Sequence, residues 1–92
     1  MPLTRDAIDQ LSDAEVLDLI IEEAAELIHA ASKAKRFGSK GNHPKGGPFN
    51  FETLIMEAVQ LNDLCRVYCA RQGENWGDWS NRIAAAAKAQ AN

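Results

Sequence analysis

Between Ser12 and Gly38 the chain carries one unbroken helical pattern, and at its centre stand three carboxylates in five residues, Glu22-Glu23-Ala24-Ala25-Glu26. The rest of the chain has to accommodate this helix. Ser12-Asp13-Ala14-Glu15 is a capping box, in which the Ser12 hydroxyl and the Glu15 carboxylate satisfy backbone N–H groups that the first turn leaves unpaired. Leu11 and Val16 occupy the two positions of a hydrophobic staple around that cap, and Gly38 after Phe37 predicts a left-handed stop. At about 100° per residue, Leu17, Ile20, Ile21, Ala24, Leu27, Ile28 and Ala31 gather on one broad apolar face that has to be buried. Glu22 points nearly opposite that face, while Glu23 and Glu26 share a flank near its boundary, beside Leu19 and Ala30. Neighbouring like charges repel by roughly a few tenths of a kcal/mol unless a cation or a basic partner lies between them. A solvated acidic face is the plain explanation, and a cation site is the other.

A second unusual carboxylate favours the cation. Asn50 is placed to cap another long helix, over 51–72, closed by Gly73. On its wheel Leu54, Leu61, Leu64, Cys65 and Tyr68 surround Glu57, which therefore lies within the apolar stripe. A buried carboxylate is costly unless it is paired, hydrogen-bonded or bound to a metal. Lys33, Arg36 or Arg66 could pair with it. Gln60, one turn on, presents a carbonyl oxygen on the same side, whereas Asp63 is rotated away. Two antiparallel long helices can thus set Glu23 and Glu26 opposite Glu57 and Gln60, an oxygen-only donor set that suits Mg²⁺ or Mn²⁺ better than Zn²⁺. The common use of such an ion is to neutralise a polyphosphate and position water for attack on it.

The remaining segments are read around this pair. Residues 1–10 predict a short leading helix after a Thr4 cap, and Asp78 predicts the start of an Ala-rich helix over 79–91. Trp76 and Trp79 either cover the end of the core or stack on a base. Lys33, Lys35 and Arg36 suit the negative end of the first long helix, and one or two of them could reach a phosphate. The segment 38–50 is a Gly/Pro-rich connection in which His43 and Lys45 are either solvated or close over an anion. It has no Gly-Lys-Ser/Thr ending and no preceding strand, which excludes a P-loop.

Ninety-two residues make one small helical domain, 1–92, too short to cover two broad apolar faces unaided. A homodimer or homotetramer is expected. A net charge of −3 gives no general attraction to nucleic acid or anionic membrane, and no apolar run spans a bilayer, so neither partner is expected. The N-terminus has no signal-peptide pattern, and Cys65 and Cys69 read as small apolar residues of a reducing compartment, the cytoplasm.

Glu22-Glu23-Ala24-Ala25-Glu26, the following Ala-Ser-Lys-Ala-Lys-Arg-Phe-Gly, the Gly/Pro loop and residues 50–61 together resemble the MazG-like, all-α nucleoside triphosphate pyrophosphohydrolases, in particular a small phage and bacterial branch of them. The resemblance covers roughly residues 16–68. It implies an all-α bundle completed by oligomerisation, and hydrolysis of a nucleoside triphosphate to the monophosphate and pyrophosphate. It also implies a metal held by Glu23, Glu26 and Glu57, with Glu22 as a ligand or base. Lys33, Arg36 and Asn50 would then bind the substrate. Where the family has a second motif, ExxD, this chain has Glu57-Ala58-Val59-Gln60, with a neutral amide in place of the Asp. That departure feeds the competing expectation, a nucleotide-binding or self-associating helical module without chemistry.

Overall fold

A computed structural model describes residues 4–41 and 49–91 of the chain, and His43 and Lys45 lie outside them. Four helices follow in order: α1 (Arg5–Asp9), α2 (Asp13–Phe37), α3 (Asn50–Arg71) and α4 (Trp76–Ala91). The two long helices pack together as the expected antiparallel pair, whereas α4 meets α3 only slightly and is exposed from Gly77 to Gln90.

Local chemistry accounts for most boundaries. The Thr4 hydroxyl accepts from the Ala7 N–H at 3.2 Å and starts α1. Both halves of the Ser12/Glu15 capping box form, at 3.1 and 3.0 Å, and start α2 where the sequence places it. At the end of α3 the Glu74 N–H bonds the Cys69 carbonyl and the Gly73 N–H bonds that of Ala70, with Gly73 at φ 74°. This pairing closes a helix because only a glycine adopts the required left-handed conformation cheaply.

Three expectations about the ends are corrected. Gly38 has a positive φ of 85° but a ψ of 152°, so it turns the chain outward in a region open essentially to glycine instead of forming a left-handed α stop. Asn50 is the first residue of α3 and makes no cap with its side chain; Phe49 stands at the cap and the Asn50 amide donates to the Gly38 carbonyl at 3.0 Å. The last helix begins at Trp76, because Asn75 takes the capping role: its Oδ1 accepts from the Asp78 N–H at 2.9 Å. Asp78 then sits inside the first turn, where its charge still suits the helix dipole.

The core is small. Ile8, Val16, Leu64 and Val67 form its buried cluster, with Leu11, Leu19, Ile20 and Tyr68 against it, so α1 closes one end of the hairpin. Leu11 thereby completes the staple over Val16. The apolar face of α2 is only partly covered: Ile20, Ala24 and Leu27 are half-buried, but Leu17, Ile21 and Ile28 are 39%, 65% and 71% exposed. The molecule is flat, 45 × 44 × 16 Å, with a radius of gyration of 16.0 Å. A compact chain of this length would have about 12 Å. No described helix is long and apolar enough to cross a membrane.

Two clasps fix how α2 and α3 align. At one end Arg71 Nη1 donates to Asp13 Oδ1 at 3.0 Å, Arg71 Nη2 donates to the Ile8 carbonyl at 2.8 Å, and Gln72 Nε2 donates to Asp13 Oδ2 at 2.9 Å. At the other end the Asn50 N–H bonds the Gly41 carbonyl at 2.7 Å and the Phe51 N–H bonds that of Ser39 at 2.9 Å. Gly41 has no alternative there, since a Cβ on it would stand 2.6 Å from the Phe37 carbonyl oxygen.

The first clasp is acid-sensitive. Hydrogen bonds from Arg71, then Gln72, hold the Asp13 carboxyl below its ordinary range, and Ser12 does the same for Glu15. A depressed folded-state pKa contributes stability above the unfolded value and loses it as pH falls through the folded one. Asp13→Asn is therefore expected to lower the melting temperature at neutral pH, and the difference from wild type should begin to shrink near pH 4, roughly the unfolded value, and vanish only once pH is below the depressed folded-state value. A difference that persists unchanged to lower pH would show that the Asp13 charge is not what the clasp uses.

Candidate metal centre

The contact between the long helices follows a heptad-like spacing. On α2 the inward positions Val16, Ile20, Glu23, Leu27, Ala30 and Ala34 are all buried or half-buried, and on α3 so are Leu54, Glu57, Leu61, Leu64 and Tyr68. Steps of four and three residues keep one seam facing the partner helix. Both rows are apolar except at Glu23 and Glu57. With Asp13 clasped to Arg71 and Gly38 to Asn50, the antiparallel register brings these two positions together.

The result is a cluster of three carboxylates. Glu23, Glu26 and Glu57 each offer one oxygen, and these oxygens all lie within 4.8 Å of one another. Glu23 and Glu57 are half-buried and Glu26 is exposed, so the cluster begins in the seam and opens to solvent on the flank that carries Glu26. Glu23 Oε2 and Glu57 Oε2 are buried and have no hydrogen-bond partner. Two orphaned carboxylate oxygens beside each other are doubly unfavourable: each has lost its water without replacement, and their charges repel at short range. The cations considered for Glu57 are not there. Arg66 lies over the Trp76 ring at 5.6 Å and Arg36 over the Phe37 ring at 5.1 Å, and Glu57 has no ion-pair partner among the described residues.

A divalent cation would resolve both costs at once, and the oxygen donors are of the kind that suits a hard one. Six oxygens around Mg²⁺ at 2.0–2.1 Å are separated by roughly 3 Å between neighbours and 4 Å across the ion, so small rotamer adjustments would bring this set to coordination distance. The absence of sulfur and nitrogen donors in the cluster argues against Zn²⁺.

The other candidate residues are placed as follows. Glu22 is exposed and stands outside the cluster of three. Gln60 is half-buried, one helical turn after Glu57. Lys33 and Arg36 are exposed; Lys33 is two turns beyond Glu26 on the same flank of α2, about 10 Å along the axis. Asn50 gives its amide N–H to the turn at Gly38. The two indoles are engaged by arginines, Trp76 as above and Trp79 by Arg82 at 4.5 Å, and Trp79 Nε1 also donates to Glu74 at 3.2 Å. Cys65 and Cys69 are free thiols, and burial pushes the Cys65 thiol up.

Helical periodicity places Glu23 at the edge of the apolar face, whereas in the structure it is half-buried in the seam itself. Counting the four-three row from Val16 would have found it. Periodicity also misses the Asp13–Arg71–Gln72 clasp, whose partners lie 58 and 59 residues apart and leave no local signal. Compared with protein-family models, with curated proteins and with solved structures, the chain finds no match.

Proposed function

We propose that the chain is a metal-dependent nucleoside triphosphate pyrophosphohydrolase of the MazG-like kind, working as a homo-oligomer in the cytoplasm. The observation that carries this reading is the convergence of Glu23, Glu26 and Glu57 with two buried, partnerless oxygens among them. The resemblance supports it from the sequence, since its EExxE motif includes Glu23 and Glu26 and its second motif includes Glu57.

Glu23, Glu26 and Glu57 would hold the divalent cation, which when bound would neutralise charge on the triphosphate and activate water. Glu23 and Glu57 stand in the seam and Glu26 at its exposed edge, so the chain presents an anionic cluster before substrate arrives. Glu22, exposed beside it, takes the proton of the attacking water. The water oxygen bonds to the α-phosphorus, the bond from that phosphorus to the bridging oxygen breaks, and its electron pair leaves with pyrophosphate. Lys33 and Arg36 sit on the exposed end of α2, where they can hold the departing phosphates. Asn50 supports this end by tying α3 to Gly38.

Gln60 favours a second reading, a nucleotide-binding or self-associating module without catalysis, because it leaves the site one charge short of four carboxylates. Pyrophosphate release across a panel of ribo- and deoxyribonucleoside triphosphates separates the two. Release with at least one of them in Mg²⁺ or Mn²⁺, and none with a chelator, is the expected result. Metal-dependent nucleotide binding without release would select the second reading.

A further inference from the structure

Two lines of residues border the side of the seam on which the carboxylate cluster opens, and both run at seven-residue steps. On α2 they are Leu19, Glu26 and Lys33, and on α3 Thr53, Gln60 and Val67. A step of seven returns a helix nearly to the same face, so each line follows the seam along one edge. The two lines share a side, since Leu19 and Val67 belong to the core cluster that Ile8 closes. They form the walls of one groove, with the three acids near its middle.

The register orders the groups along this groove. Glu57 is level with Glu23 and Glu26, where their oxygens converge. Thr53 precedes Glu57 by one turn, and because α3 runs antiparallel to α2 it stands about 6 Å further towards Lys33. It thus fills the interval between the acids and Lys33, which is about 10 Å from Glu26 along the axis. Thr53 is half-buried and Lys33 exposed, which puts a hydroxyl donor in the wall and an ammonium at the rim. The other end offers an anion nothing: past Gln60 come Leu19, Val67 and Ile8, all apolar.

We infer that Thr53 and Lys33 form the subsite for the two phosphates that leave, so that a nucleoside triphosphate lies along this groove with its terminal phosphate towards the C-terminus of α2. This rests on the hydrolase reading, and it adds a direction for the substrate and a contact, Thr53, that neither the acidic motif nor the charge pattern singles out. A polyphosphate that starts at the acids and runs towards the cationic end meets Thr53 first and Lys33 second. The Thr53 hydroxyl donates to a phosphate oxygen, and a hydrogen bond to an ionised acceptor is among the stronger ones. Lys33 supplies the compensating charge.

Calorimetric titration of inorganic pyrophosphate in Mg²⁺ tests the subsite without requiring turnover. Thr53→Val keeps the shape and removes the hydroxyl. It is expected to weaken pyrophosphate binding about tenfold or more, while Mg²⁺ affinity and the melting temperature in chelator stay at wild-type values. Thr53→Ser should bind as wild type does. Lys33→Gln should weaken pyrophosphate binding by a similar factor, and because Lys33 is exposed this variant decides if Thr53→Val fails to fold. Wild-type pyrophosphate affinity in either Thr53→Val or Lys33→Gln would overturn the inference, as would a wild type that binds no pyrophosphate in Mg²⁺. A Thr53→Val that melts earlier but binds pyrophosphate normally would give the hydroxyl to the Phe49 carbonyl one turn back, a bond internal to α3. Pyrophosphate binding that depends on Thr53 in a protein that hydrolyses no triphosphate would leave the subsite standing and remove the hydrolase. Hydrolysis with KM and pyrophosphate affinity unchanged in Thr53→Val would do the reverse.

Discussion

Glu57→Gln is expected to lower metal-dependent pyrophosphate release on the order of 100-fold or more, since even residues that only orient a metal's ligands cost 10–100-fold. The same variant should be no less stable than wild type without metal. In the bare protein Glu57 Oε2 is buried and partnerless next to two other carboxylates, and the amide removes a charge while keeping the shape. With metal the order reverses. An ion that binds only the folded chain stabilises it by about 2.7 kcal/mol at a hundred times its Kd, which for a domain of this size is a rise in Tm of about 10 °C or more. Wild type should show that rise with Mg²⁺ or Mn²⁺, and Glu57→Gln should show little of it. Equal shifts in the two proteins would remove Glu57 from the site. A variant that is strongly destabilised without metal would show that the carboxylate has a protein partner after all.

Gln60→Asp is expected to act in the opposite direction. Affinity for hard cations follows the number of charged ligands, so a fourth carboxylate one turn from Glu57 should tighten Mg²⁺ binding on the order of tenfold and speed pyrophosphate release from the preferred triphosphate. It should also make the metal-free protein less stable, because it adds a charge to a half-buried position beside three others. Calorimetric titration with Mg²⁺ and a melt in chelator measure the two effects separately. Unchanged metal affinity and turnover in an active wild type would place Gln60 outside the ligand set. Activity that appears only with this substitution would identify the wild type as a binder that has lost its chemistry.

The long helices, their antiparallel pairing and the identity of the clustered acids were legible from the chain because each has a local cause. The capping box starts α2 through bonds three residues apart, and Gly73 ends α3 through bonds within one turn. Glu57 announced itself by standing among leucines at helical spacing. The start of α4 lies three residues earlier than expected for a local reason too: Asn75 and Asp78 are both good caps, and each is followed by a tryptophan, so nothing beside them chooses between the two.

What the chain could not disclose by itself is which half of the broad apolar face on α2 meets α3. The seam uses the row from Val16 to Ala34 and leaves Leu17, Ile21 and Ile28 outside, a rotation of one residue that periodicity cannot detect because both rows are apolar. The choice is made far away, by Arg71 reaching Asp13 and Ile8 and by Asn50 reaching Gly38. Those clasps set the rotation and register of α3 on α2, and with them the burial of Glu23 and its approach to Glu57. Local propensity therefore determined the helices and supplied the acids, whereas only tertiary contacts, acting between residues distant in sequence, decided that three of those acids would share one small volume.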